Sequence, residues 1–349
     1  MRKTAVVKMG NTEIAVEGML KKMNLTPVNL KTTKTTLKKG LAIAPEFSCF
    51  PFKTIIGMLI DAVESGVDLF VIPTDCSIRG CQSADFAMAA KFILQKKGYK
   101  NFDIIYLENA NPYLVHKRFK EHIDVSLKAV AEALLTFSQK LYLLNDISEY
   151  TKKLLFSVPK DEAEAFRKKW ERVLRNTQSN VELYTLSSKI SEDYVRFPHA
   201  QFDDMIKVGI IGDVYSVNDN YLNNNINQRL IEYGVYPDNG ITIVEMLNYH
   251  KQNEYRIAAK KYLRHNLGGL SQHTIAKAIE YSKKNYDGII HIFPFGCSPE
   301  IVVRAILPKV SKDHSIPILY LPIDEQSGDA GFTTRLEAFI DLIKLRRRR

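Results

Sequence analysis

Residues 41–82, LAIAPEFSCFPFKTIIGMLIDAVESGVDLFVIPTDCSIRGCQ, constrain the fold more than any other stretch of the chain. Leu41 to Ala44 is a short apolar run, and Pro45 to Pro51 cannot continue it. Lys53 to Glu64 carries Ile56, Leu59, Ile60 and Val63 at helical spacing, and Gly66 stops the helix through its access to positive φ. Leu69 to Ile72 reads as a second buried strand, ended by Pro73. The expected order is strand, turn, helix, strand, turn. It puts Cys49 and the pair Cys76/Cys81 just past the carboxyl ends of neighbouring strands, the edge at which open α/β sheets bind ligands. Cys297 repeats the arrangement: Ile289 to Phe293 is expected as a strand, Pro294 to Ser298 as a turn, and Pro299 as the first residue of a helix. All four cysteines of the chain are therefore expected in loops that follow buried strands.

A chain of 349 residues suggests two cores rather than one. Asp61 and Glu64 interrupt the best apolar run before it reaches the length of a membrane span. The N-terminal stretch has no uninterrupted apolar core of a secretory signal, so a cytoplasmic location is expected, where thiols stay reduced. Four cysteines in that setting point to metal or redox chemistry rather than structural disulfides. The net charge of +10 is concentrated in Lys31 to Lys39 and in Arg346 to Arg349. No recognised nucleic-acid motif accompanies it, and a solvated surface with a charged tail is the expected reading.

Taken in order, residues 1–40 read as an appendage, with a strand pair turning at Gly10-Asn11 and a basic, Thr-rich connection. Residues 41–113 are expected as a first α/β lobe and 114–205 as a helical bridge. In that bridge Trp170 falls on an apolar helix side with Phe166 and Val173, a packing position. Residues 206–349 are expected as a second α/β lobe, with strands at IKVGIIG, at Ile241 to Val244, before Cys297 and at Ile316 to Leu321. The fold class is thus α/β, with two lobes of similar plan built on parallel sheets.

Four thiolates suit one [4Fe–4S] cluster. Cys49 and Cys297 precede helices, whose N-termini favour thiolate. A structural zinc site competes, although only Cys76-x₄-Cys81 has knuckle-like spacing; small buried cysteines are the third reading. GIIGD at Gly209 to Asp213 lacks the spacing of a dinucleotide loop, and no Walker pattern occurs in the sequence. His291 reads as a satisfied core histidine. Asp324-Glu325 is a charged loop near the sheet's carboxyl edge, either a binding element or only a cap of the last helix that pairs with Arg335 or Arg304.

Three stretches resemble a known family. CFPFKTIIGMLIDAVESGVDLFVIPTDCS, PFGCSPEIVVRAIL and DEQSGDAGFTTRLEAFIDLI are similar to the 2-hydroxyacyl-CoA dehydratase and benzoyl-CoA reductase family, closest to its activase-associated branch. The resemblance spans roughly 41–112 and 206–345. It implies two flavodoxin- or Rossmann-like lobes around an iron–sulfur cluster, an ATP-dependent iron–sulfur activase as electron donor, an acyl-CoA or other small-molecule substrate, and pairing as a homodimer. It also implies that Cys49 and Cys297 stand at ligand positions, with a further ligand at Cys76 or Cys81. Four cysteines are too few for a double cubane and one more than the three that leave an iron open to substrate. Four ligands would make an electron carrier, sensor or assembly accessory; three would allow reductase or dehydratase chemistry.

Overall fold

The computed structural model of the chain describes residues 1–7, 10–73, 86–107, 111–202, 204–265 and 268–348. They pack as two compact units. The described residues of the first lie in Met1–Ile43, 55–73 and 86–202, and those of the second in Ala44–Thr54 and 204–348. Cys49 thus belongs with the second unit and not with the first lobe, where its place in the sequence put it.

The first unit contains β1 (Lys3–Val6), α1 (Glu13–Lys22), β2 (Thr26–Val28), α2 (Lys34–Leu41), most of α3 (Phe50–Glu64), β3 (Leu69–Pro73), α4 (Phe86–Lys96), β4 (Asp103–Leu107), α5 (Pro112–Lys120), α6 (Leu127–Leu154), α7 (Lys160–Asn176) and α8 (Asn180–Tyr194). Its sheet is parallel throughout, in the order β2-β1-β3-β4. Residues 1–40 are therefore no appendage, since they supply two of the four strands. The strand pair expected at Gly10-Asn11 is replaced by α1, with Glu13 in its first turn and Lys21 and Lys22 in its last, as the helix dipole favours. The Thr-rich connection is α2, capped by the Thr33 hydroxyl, which accepts from the Thr36 amide at 3.1 Å. Leu41 ends that helix, so Cys49 follows a turn and not a strand.

Leu69, Phe70, Val71 and Ile72 are almost fully buried, as an inner parallel strand covered on both faces must be. α3 is apolar along most of its length, and its charges have partners: the Lys39 ammonium bonds Asp61 and Glu64, each at 2.6 Å. The helices of the expected bridge belong to this unit. Val130 and Ala133 of α6 share its core with Met19 and Leu20 of α1 and Leu69 of β3. Trp170 is buried with Phe166, and its indole N–H donates to Asp193 at 2.8 Å, in keeping with a packing role.

The second unit contains β5 (Ile206–Gly212), α9 (Val214–Asn218), α10 (Ile226–Glu232), β6 (Val235–Asn239), α11 (Ile243–Leu247), α12 (Tyr249–Ala259), α13 (Ser271–Lys283), β7 (Gly288–Pro294), α14 (Ser298–His314), β8 (Ile318–Ile323) and α15 (Asp329–Arg347). Its parallel sheet runs β6-β5-β7-β8, the same 2-1-3-4 order as the first. The α/β class and the paired plan thus agree with the sequence. One strand is displaced from its expected place: Ile241 to Val244 gives way to a helix capped by Thr242, and VYPDN forms the edge strand, where a proline without an N–H is tolerated. The terminal arginines are partly structural, with Arg346 donating to the Ser315 carbonyl at 2.9 Å and Arg347 paired with Asp287 at 3.3 Å. No helix among the described residues is long and apolar enough to cross a membrane.

Candidate functional site

In the second unit the chain leaves β5 for β6 on one side and returns to β7 on the other. The carboxyl ends of β5 and β7 therefore flank a topological switch point, the usual ligand crevice of such a sheet. Gly212 and Asp213 follow β5, and Pro294 to Cys297 follow β7. Gly212 has φ +143°, and a Cβ there would lie 1.7 Å from the Ile292 carbonyl oxygen. The strand end can approach β7 this closely only without a side chain.

The turn after β7 is closed by two backbone bonds: Phe295 donates to the Ile323 carbonyl at 2.8 Å and Cys297 to the Pro294 carbonyl at 3.1 Å. Gly296 takes φ +81°, and Cys297 is the N-cap residue of α14, which begins at Ser298, one residue before the expected Pro299. The stretch bearing Cys49 packs on this turn; a Cβ built on Gly296 would lie 3.7 Å from the Cys49 Cα. The fold thus brings Cys49 and Cys297 together as thiols, Cys49 buried and Cys297 half-buried. Phe47 and Phe295, each close to one of the cysteines in sequence, are largely exposed beside them. Cys76 and Cys81 lie outside the described residues. Among the described residues, no three His, Cys, Asp or Glu side chains are grouped to hold a metal ion.

Carboxyl groups surround Cys297. Burial, then the charges of Glu300 and Asp213, push its thiol far above the ordinary cysteine range. The expectation that a helix N-terminus would favour thiolate is corrected here, because a partial dipole charge is outweighed by burial and two acids. Asp213 accepts from the amides of Tyr215 at 3.0 Å and Ser216 at 3.2 Å, so its own carboxylate fills the start of α9, where a phosphate loop would need free amides. Burial, with Glu300 nearby, raises the Asp213 carboxyl to about 7.

The sign of the resulting pH effect follows from proton uptake on folding. A carboxyl raised in the fold costs nothing below its unfolded value near 4, a growing amount between pH 4 and 7, and the full amount above 7. Asp213→Asn keeps a capping oxygen and removes the charge. It is expected to stabilise the protein by about 3 kcal/mol at pH 8 and by little at pH 4. Thermal melts of both proteins across that range check this, and an equal difference at both ends would refute the assignment.

Glu300 is wholly buried. His291 Nε2 lies 2.7 Å from one carboxylate oxygen, and the Thr274 hydroxyl donates to the other at 3.0 Å. His291 Nδ1 has no partner, which assigns the ring proton to Nε2, facing the carboxylate. His291 is thus the core histidine that the sequence suggested, satisfied at Nε2 but not at Nδ1, and its buried acid partner was the part missed. Glu325 pairs with Lys53 at 2.7 Å instead of with Arg304 or Arg335. The Lys53 ammonium, in the first turn of α3, holds the loop after β8 against the segment that carries Cys49. Asp324 accepts from Gln326 at 2.9 Å and Ser327 at 2.8 Å, which shapes that loop ahead of α15.

The family comparison agrees with part of the resemblance read from the sequence. A family model described as CoA enzyme activase uncharacterised domain matches residues 16–239, a span that includes Cys49, Cys76 and Cys81 and ends before Cys297. No curated protein matches the chain.

Proposed function

Because the chain belongs to the CoA enzyme activase uncharacterised domain family, we propose that it is the iron–sulfur, electron-accepting component of an ATP-driven 2-hydroxyacyl-CoA dehydratase or reductase system. The observation that carries this reading is the meeting of Cys49 and Cys297 at the switch point of the second sheet, although they stand 248 positions apart in the chain. Thiols are the ligands iron–sulfur clusters take, and an edge of this kind is where an open α/β sheet holds a cofactor. The two thiols fit as half of a four-ligand set. In this reading Cys76 and Cys81 complete it.

Bound there, a [4Fe–4S] cluster would hold a low-potential electron, received from an ATP-dependent activase and passed to an acyl-CoA-type substrate. The protein's own residues would do the positioning. Gly212 and Gly296 let the two strand ends and the Cys49 segment draw together. Lys53 and Glu325 fix the loop after β8. Glu300, locked by His291 and Thr274, anchors the first turn of α14 behind Cys297. A metal centre bound there would displace the thiol proton of Cys297, which burial, then the charges of Glu300 and Asp213, help to hold. ATP would be consumed by the partner, and the exposed Phe47 and Phe295 offer it apolar surface beside the cysteines.

Variants purified without oxygen test this reading. The protein is expected to show a broad visible absorption that dithionite bleaches. Cys49→Ala and Cys297→Ala are each expected to abolish it while far-UV circular dichroism stays unchanged. Bleachable absorption at full intensity in both variants would sink the proposed ligand set.

A further inference from the structure

The first unit contains a lysine that its fold does not explain. Lys140 lies midway along α6 and has no exposed surface, and its ammonium has no hydrogen-bond partner. It interrupts a buried stripe formed by Val130, Ala133, Leu144 and Ile147, at spacings where leucine or methionine would pack without penalty. A buried ammonium without acceptors is strongly disfavoured, and burial pushes Lys140 down to about 8. α1 makes room for it. A Cβ on Gly18 would lie 2.9 Å from the Lys140 Cδ and 3.2 Å from its Nζ, so a glycine sits inside a helix, with its cost in propensity, where the lysine crosses.

The neighbours are also cationic. Lys21 and Lys22 at the end of α1 and Arg175 at the end of α7 oppose the charge of Lys140, and the Glu17 carboxylate favours it. Glu17 is already engaged, since Arg175 pairs with it and Asn29 donates to it at 2.7 Å. Among the described charges acting on Lys140 the cations outnumber the acids, a balance that suits a small, multiply charged anion. We propose that Lys140 is the inner end of an anion site in the first unit, between α1, α6 and α7, that takes a phosphate group with the help of Lys21, Lys22 and Arg175. A dianion suits several ammonium donors and a guanidinium better than a carboxylate does. The proposal does not depend on the function proposed for the cysteines.

Thermal melts of the full chain test it, with inorganic phosphate as probe against chloride at equal ionic strength. About 10 mM phosphate is expected to raise the melting temperature of the native protein by about 3 °C. Lys140→Met is expected to lose that shift and, in chloride, to melt above the native protein, because a buried charge has been replaced by a packed apolar chain. Arg175→Gln, at a partly exposed position, is expected to reduce the phosphate shift without the gain in chloride. A second arm uses glycerol 3-phosphate. A shift with phosphate alone assigns a free anion, a shift with both assigns a phosphate ester, and either supports the site. An equal phosphate shift in Lys140→Met would mean that surface lysines alone bind the anion, and no shift in the native protein would mean that the ammonium is met by internal water. Either result overturns the proposal. Iron content measured in parallel is expected to be the same in Lys140→Met and the native protein, so failure of the cluster reading would leave this test intact.

Discussion

Gly212→Ala is expected to lower the melting temperature of the second unit by about 10 °C or to leave the chain insoluble. Two costs add at this position. The backbone stands at φ +143°, which a residue with a side chain adopts only under strain of about 1–3 kcal/mol. The new methyl would also meet the Ile292 carbonyl oxygen at 1.7 Å, an atom fixed by the parallel pairing of β5 and β7, and relieving such a clash costs about 1–3 kcal/mol more. A total near 4 kcal/mol corresponds to a drop of roughly 10 °C for a unit of this size. Differential scanning calorimetry reads it directly. A melting point within about 2 °C of the native protein would show that β5 can move away from β7 at its carboxyl end, contrary to the packing described above.

The second large effect is expected at Glu300. Glu300→Ala removes the carboxylate that meets both His291 and Thr274 and strands a buried imidazole, at an expected cost of about 3–5 kcal/mol. Glu300→Gln is the informative companion. Its amide oxygen can accept from His291 Nε2 and its NH₂ group can donate to the Thr274 hydroxyl, so the expected loss is only about 1–2 kcal/mol. Denaturant melts separate the two variants. Equal losses would mean that the carboxylate charge, and not the completeness of the bonding, holds the first turn of α14.

Much of the second unit could be read in advance because its signals are local. Ile289 to Phe293 is an apolar run bounded by glycine and proline, and the strand formed is Gly288–Pro294. Pro299 marks the first turn of α14. In the first unit, Trp170 lies on the apolar side of an amphipathic helix, and it is buried there. The errors arose where local and tertiary preferences disagree. TEIAVEGM sets Ile14 and Val16 two apart, as on one face of a strand, but its buried Ile14, Ala15, Gly18 and Met19 follow a helical period once α6 packs on them. Leu41 to Ala44 is apolar because it closes a helix and a turn. VYPDN has turn composition and is a strand only because the sheet edge tolerates it.

The site divided in the same way. Cys49 and Cys297 stood out in the sequence as cysteines in loops; the sheet order places Cys297 at the switch point, and the packing of the Cys49 segment on the Gly296 turn has no local signal. Glu300 carried a local signal, since it stands three residues after the N-cap Cys297, at a capping-box position; yet its side chain turns inward to His291 instead of back to the cap. Lys53 and Glu325 are 272 positions apart, and no pattern in the sequence joins them. Lys140 could have been found, because a lysine at helical spacing inside an apolar stripe departs from the rule that polar residues take the opposite face.

Iron, acid-labile sulfide and zinc counted per chain, on protein prepared without oxygen, test the central claim most directly. The expected result is about four irons with matching sulfide and negligible zinc. Stoichiometric zinc without sulfide, or protein that takes up no metal under those conditions, would contradict it and leave Cys49 and Cys297 as neighbours without a cluster to hold.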